Sequence, residues 1–291
     1  MDKKLISVKD FSPEELRKWQ MKMLEILVYF RDFCENHHLQ FYIAWGTLIG
    51  ALRHKGFVPW DDDIDVQMPR EDYEKLLRIW NKEADTSRFV CEVTSNDFCN
   101  RFPMATIRNV NTTCIYDHSV NDDICHGLKI DVEFLDVVSK NRYVRAFDRL
   151  CAFILALYTT RRLPKRASFI KTCMARFFYF ICPTNSLKWK ISQWLEKRIK
   201  RYNPGDDDDW VGYLAVMPSP RSSYSNTIWV DFEGYKMPAP AGYDQILRDY
   251  YGDYMQYPPE EQRKPATDNL IFYDLDHSYK DYKGKYYCVK K

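Results

Sequence analysis

No Cys-x-x-Cys pair occurs in this 291-residue sequence, and its nine cysteines (34, 91, 99, 114, 125, 151, 173, 182 and 288) are scattered and odd in number. That pattern excludes a zinc knuckle or a disulfide framework as the organising device and points to reduced thiols. Long apolar runs are also missing. The longest, Cys151 to Tyr158, falls far short of the roughly 20 residues a membrane-spanning helix needs. The opening Met1-Asp2-Lys3-Lys4 lacks the apolar core of a secretory leader, so a cytoplasmic placement is expected. There is no internal repeat, and no recognised nucleic-acid-binding motif accompanies the basic residues, so no nucleic-acid partner is expected.

Hydrophobic content of 45% and charged content of 29% describe a folded protein. Aromatic content of 16%, with 21 Tyr and 8 Trp, supplies rings for packing and for a ligand site. A net charge of +2 conceals an asymmetry. Residues 140–203 hold sixteen Lys or Arg against Asp148 and Glu196, a balance of +14, which leaves −12 for the remainder. These basic residues are interleaved with Phe147, Leu150, Phe153, Ile154 and Leu157, and a second apolar cluster follows at Phe177-Phe178-Tyr179-Phe180-Ile181. Two readings stay open: amphipathic helices lying on an anionic membrane surface, or a helical subdomain with a solvated basic face.

Ser12-Pro13-Glu14-Glu15 is a capping box with proline at the first helical position. Leu16, Trp19, Met23, Leu27 and Phe30 continue it at helical spacing to about His38. Strands are expected over 41–44, 89–94, 104–108, 114–116 and 128–132, helices over 47–55, 70–81 and 243–250, and a solvated loop at Asp206–Asp209. The mixture predicts an α/β (α+β) fold with an inserted helical part.

The segment Trp60-Asp61-Asp62-Asp63-Ile64-Asp65-Val66 holds more like charge than a chain keeps beside apolar residues without a compensating cation. In a strand beginning at Asp63, Asp63 and Asp65 share one face and Ile64 and Val66 the other. Adjacent carboxylates of this kind suit Mg²⁺ (or Mn²⁺). Upstream, Ile43-Ala44-Trp45-Gly46-Thr47 reads as a strand ending in a Gly-Thr turn whose N–H groups can approach a phosphate. Together these features point to metal-dependent phosphoryl chemistry. Asp131, an acid among apolar neighbours, is the expected third ligand and a candidate acceptor for the proton of an attacking hydroxyl; the plain alternative is a strand-edge acid. Arg53-His54-Lys55 either holds substrate phosphates or forms a basic helix end favoured by the helix dipole. Arg108, with Thr112-Thr113, is a candidate nucleotide contact, whereas His37-His38 reads as a helix terminus.

The run Trp45-Gly46-Thr47-Leu48-Ile49-Gly50-Ala51-Leu52-Arg53-His54-Lys55-Gly56-Phe57-Val58-Pro59-Trp60-Asp61-Asp62-Asp63-Ile64-Asp65 resembles the signature of the LicD family, bacterial phosphocholine transferases related to fukutin-type sugar-phosphate transferases. His126 to Asp136 is similar to a second family segment. Phe232-Glu233-Gly234, Pro238-Ala239-Pro240 and Tyr250 to Met255 before Pro258-Pro259 resemble its ending. The blocks extend from about residue 15 to 265. Phe134 stands where the family often has proline, which touches only the local turn.

The resemblance implies a nucleotidyltransferase-like mixed sheet flanked by helices. Residues 1–139 would form the catalytic core, 140–203 an inserted basic helical segment, and 204–291 the part completing the core. It further implies a metal held by Asp63, Asp65 and Asp131, with Gly46 and Thr47 on phosphate oxygens; Arg53, Lys55 and Arg108, read from the residues alone, are then the cations expected near the nucleotide. The donor would be CDP-choline or a related CDP-alcohol, the acceptor a hydroxyl of a teichoic acid, lipopolysaccharide or capsule precursor, and the product CMP. Trp45 or Trp60 with nearby Tyr would cage the choline ammonium, while Asp61, Asp62 and His54 would shape the loop or meet substrate. Lipid-linked acceptors would bring residues 140–203 to the inner face of the membrane as a peripheral contact. Two alternatives remain: transfer of ribitol phosphate, glycerol phosphate or a nucleotidyl group, or a non-catalytic scaffold at the membrane surface. The retained acids weigh against the scaffold.

Overall fold

The capping box at Ser12 forms as the sequence predicts: its hydroxyl accepts from the Glu15 N–H, and the Glu15 carboxylate accepts from the Ser12 N–H. Helix α1 (Pro13–Asn36) then buries Leu16, Trp19, Met23, Leu27 and Phe30 along one stripe. His37 caps it, in keeping with the expected terminus. This computed structural model describes residues 8–163, 168–200, 210–212, 218–265 and 270–289; the Asp206–Asp209 loop expected from the sequence lies outside them.

After α1 come β1 (Tyr42–Ile43), α2 (Trp45–His54), β2 (Asp65–Pro69), α3 (Arg70–Glu83), β3 (Phe89–Glu92), β4 (Ala105–Asn109), β5 (Thr113–Tyr116) and β6 (Lys129–Val138). A mixed sheet runs in the order β1-β2-β6-β4-β3. Strands β2 and β6 are parallel, and the other pairs along this path are antiparallel. Trp19, Phe30, Trp80, Phe89, Ile107, Ile130 and Val132 are all essentially inaccessible in one core cluster between sheet and helices. The fold is therefore of the expected α+β kind.

The chain leaves the sheet after β6 into α4 (Arg142–Thr160), α5 (Phe169–Ile181) and α6 (Asn185–Ile199). It returns at β7 (Trp210–Gly212), which pairs with the second half of β6 and with β8 (Ser219–Pro220). Cys151, Ala152 and Leu155 of α4 and Leu195 and Ile199 of α6 join the main core. Both acids of this excursion are paired: Asp148 with Arg198 at 3.0 Å, and Glu196 with Arg70 at 3.2 Å and Lys200 at 3.1 Å. Arg70 also forks onto Asp136 of β6 at 2.6 and 2.7 Å.

A hairpin of β9 (Thr227–Phe232) and β10 (Tyr235–Pro240), then α7 (Tyr243–Tyr251) and β11 (Leu270–Asp274), complete the chain. Glu233 and Gly234 both have positive φ, at 51° and 81°, as a tight two-residue hairpin turn requires. The Glu233 carboxylate receives both Arg17 guanidinium nitrogens at 2.7 and 2.6 Å and the Phe57 N–H at 3.1 Å. It thereby fastens the hairpin to α1 and to the loop after α2. Strand β11 lies antiparallel to β5.

Three local expectations are corrected. Gly46 and Thr47 do not form a turn after a strand; they lie in the first turn of α2. Strand β2 begins at Asp65 rather than Asp63, and β6 runs on to Val138 rather than ending at 132.

Candidate active site

The parallel pairing of β2 with β6 sets Asp65 directly opposite Asp131. The Asp131 N–H donates to the Ile64 carbonyl at 2.9 Å, so the register is fixed at the acids themselves. Ile64 and Val66 are fully buried while Asp63 and Asp65 remain partly accessible, which is the alternation of an extended chain. Helix α1 holds the acidic loop from behind: Trp19 Nε1 donates to the Asp62 carbonyl at 3.0 Å, and Gln20 Nε2 to the Asp61 carbonyl at 2.9 Å. Thr47 Oγ1 accepts the Asp65 N–H at 3.1 Å, tying the head of β2 to the first turn of α2.

Gly46 is the close-approach point. A Cβ there would lie 2.5 Å from Asp61 Oδ2, so only glycine lets that carboxyl reach the N-terminus of α2, where backbone N–H groups lack helical partners. Burial, then the neighbouring Asp63 and Asp62, push the Asp61 carboxyl well above the usual range. Asp63 is raised to about 6 by burial and by Asp62. Asp65 is raised well above its ordinary value by burial, Asp63, Asp131 and Glu133. The nearby cation is Lys129, whose Nζ bonds Asp131 Oδ2 at 2.5 Å. Asp61 Oδ2 and Asp131 Oδ1 are buried without a hydrogen-bond partner.

Hard oxygen donors, crowded and short of positive charge, fit a divalent cation. Among the described residues, no three His, Cys, Asp or Glu side chains are already drawn into a ligating cluster. The sheet brings Asp63, Asp65 and Asp131 to one place without closing a cage around it.

A cleft of about 580 Å³ opens beside Asp61, with Gly46, Arg53, Trp60, Tyr251, Tyr254 and Tyr257 in its lining. Arg53 lies 4.7 Å over the Tyr257 ring and donates to the Tyr254 carbonyl at 3.1 Å. Arg263 approaches Tyr257 at 5.3 Å and Trp60 at 5.9 Å. The His54 ring meets Tyr257 edge-on at 5.8 Å. Trp45 Nε1 donates to Glu133 Oε2 at 2.9 Å, and its ring lies 5.1 Å from Tyr250.

The structure thus gathers Trp45, Gly46, Thr47, Arg53, His54, Trp60, Asp61, Asp63, Asp65 and Asp131 around the acids and the adjoining cleft. Five expected residues are set back or committed elsewhere. Lys55 is the C-cap of α2, the full length of that helix, about 15 Å, from its acidic end. Arg108 is buried and pairs with Glu92 at 2.9 Å, so it is committed to the interior rather than to a nucleotide. Asp62 is buried, unlike its partly accessible neighbours. Thr112 and Thr113 are likewise spent on backbone, holding Asn109, Leu128 and His277.

Sequence reading missed Lys129, Glu133, Tyr251 and Tyr257. Glu133 follows Asp131 by two residues, the same spacing that singles out Asp63 and Asp65. Burial raises it to about 7 even though Gln67 and Trp45 donate to it. The two tyrosines carry no motif and reach the site only through the return of the chain.

Comparison with known proteins adds three findings. Residues 38–120 match the family model for the LicD/FKTN/FKRP nucleotidyltransferase domain. The chain is 27% identical over 270 residues to the lipopolysaccharide cholinephosphotransferase LicD of Haemophilus influenzae, covering 86% of this chain and 95% of that protein. Shorter matches join it to uncharacterized proteins of Rickettsia prowazekii (32% over 74 residues, 23% of this chain and 28% of the relative) and Rickettsia typhi (31% over 70 residues, 23% of each).

Proposed function

We propose that this chain is a phosphotransferase that moves phosphocholine from CDP-choline to a hydroxyl of a lipopolysaccharide-type glycan precursor and releases CMP; the match of residues 38–120 to the LicD/FKTN/FKRP nucleotidyltransferase model supports the reading. The observation that carries the reading is the register of Asp65 against Asp131, with Asp63 beside them and a cleft of aromatic and cationic residues next door. The near full-length similarity to a lipopolysaccharide cholinephosphotransferase supports the choice of cargo.

The acceptor oxygen attacks the phosphorus bearing choline, a new P–O bond forms, and the P–O bond to CMP breaks. Asp131 takes the hydroxyl proton at Oδ1, the oxygen with no partner, while Lys129 holds Oδ2 and fixes the carboxylate plane. Asp63 and Asp65 would hold a divalent cation, Mg²⁺ or Mn²⁺, which when bound would neutralise charge on the diphosphate. Arg53 and Arg263 meet the anionic leaving group from the cleft. Arginines already lie over Tyr257 and Trp60, so Tyr251 is the ring of the cleft that receives the quaternary ammonium.

CMP release from CDP-choline, with and without Mg²⁺, tests this. Asp63→Asn and Asp65→Asn are expected to reduce turnover by at least about 1,000-fold, the scale of a lost metal ligand or transition-state charge partner. Mg²⁺ is expected to raise the Tm of the wild type and not of Asp65→Asn, because it relieves the buried repulsion. Wild-type turnover by either variant would overturn the assignment. Faster release from CDP-ribitol or CTP would transfer the reading to another cargo.

A further inference from the structure

The sequence of α5 is apolar nearly all round, yet Ala175 is the buried position on it. Phe169, Ile170, Phe177, Phe180 and Ile181 are between 52 and 83% exposed. At 3.6 residues per turn these five, together with exposed Cys173, fall within one arc about 120° wide. Arg176 borders that arc on one side and Lys171 lies beyond it on the other. The opposite side of the helix packs through Ala175, Phe178 and Tyr179 onto Leu157 and Tyr158. The exposed face is therefore surplus to the fold, and a contiguous apolar patch on a protein surface marks an interaction site.

Charge identifies the partner. The segment 140–203 carries a balance of +14, and its two acids are occupied by Arg198, Arg70 and Lys200. Helix α6 extends the theme: Trp194 and Leu187 are exposed, with Lys190 and Lys197 exposed beside them on its outer side. A second copy docking through this same face would set like charge against like charge. No described helix is long and apolar enough to cross a bilayer.

We propose that the outer face of α5 and α6 docks on the surface of an anionic phospholipid bilayer. Helix α5, about 20 Å long, lies in the interfacial plane with Phe169, Phe177 and Phe180 among the acyl chains and the basic side chains at the headgroups. This surface stands on exposure and charge alone and is independent of the reaction proposed above.

Flotation of the full chain with vesicles of phosphatidylcholine alone, or of phosphatidylcholine mixed with phosphatidylglycerol, tests it without any nucleotide present. Binding is expected to the mixed vesicles, weakened by salt, and at least about tenfold weaker for Phe177→Ser/Phe180→Ser. Both side chains are more than half exposed, so the variant is expected to keep the wild-type Tm. An environment-sensitive label on Cys173 gives a second measurement on unsubstituted helices, with a blue shift expected on adding the mixed vesicles. Failure of the wild type to bind anionic vesicles, an unshifted label, or wild-type binding by the folded variant would each overturn the proposal. A concentration-dependent dimer that the variant dissolves, without vesicle binding, would assign the face to a second copy instead.

Discussion

A methyl group on Gly46 would sit 2.5 Å from Asp61 Oδ2, although alanine inside a helix ordinarily favours folding over glycine by about 1 kcal/mol. The clash reverses that sign, and Gly46→Ala is expected to cost about 1–3 kcal/mol, as overpacking does. Asp61→Ala in the same chain should restore most of the loss. Thermal unfolding of both single variants and the double variant measures the coupling. His126 supplies a second test. Its ring is buried, and burial lowers its pKa from 6.5 to about 4. The unfolded chain therefore binds the proton first, and the stability His126 contributes is full above about 6.5 and lost as pH falls toward 4. The difference in unfolding free energy between wild type and His126→Gln should fall by up to about 3 kcal/mol across that window. Taking the difference cancels the crowded acids, which titrate with the opposite sign.

Among elements, the hairpin β9–β10 depends on one carboxylate. Glu233→Ala would strip Arg17 of a two-pronged partner and leave the Phe57 N–H without its acceptor. A loss of about 1–2 kcal/mol is expected, since Arg17 is half exposed and part of its pairing is replaced by water. Urea unfolding should show a lower midpoint with an unchanged slope. Elements with end signals were legible in the sequence: α1 through its capping box and spaced apolar stripe, and α3 through its periodicity. The start of α2 was not, because Ala44 offers no capping side chain and Trp45 takes a φ of 46° that nothing in its side chain announces. The second half of β6 was not, because Phe134, Leu135, Asp136 and Val138 are buried and a strand covered on both faces loses its period-two pattern. The acids of the candidate site were readable from local alternation, whereas Lys129, Tyr251 and Tyr257 reach it only through tertiary placement. Arg108 shows the converse, a cation of the right type turned inward to Glu92.

For the molecule as a whole, the site is assembled from both ends of the chain. The residues matching the family model, 38–120, include Asp63 and Asp65 but neither Asp131 nor the tyrosines of the cleft. A chain ending at residue 139 would lose β7 from β6, β10 from its packing beside β1, and β11 from β5. It is expected to unfold without a cooperative transition and to release no CMP, whereas the full chain should show a single sharp transition. Calorimetry on both lengths checks this. A cooperative, active 1–139 fragment would contradict it.

The register of Asp65 against Asp131 also sets a timetable. The partners are 66 positions apart (131 less 65), and a parallel pair cannot be closed by a tight turn. Strand β6 must enter between β2 and β4, both made before it during synthesis. Until it does, those two strands present bare edges of the kind that recruit other chains. The emerging polypeptide holds two of its three acids and an unfinished sheet, and the insertion of one strand ends both conditions together.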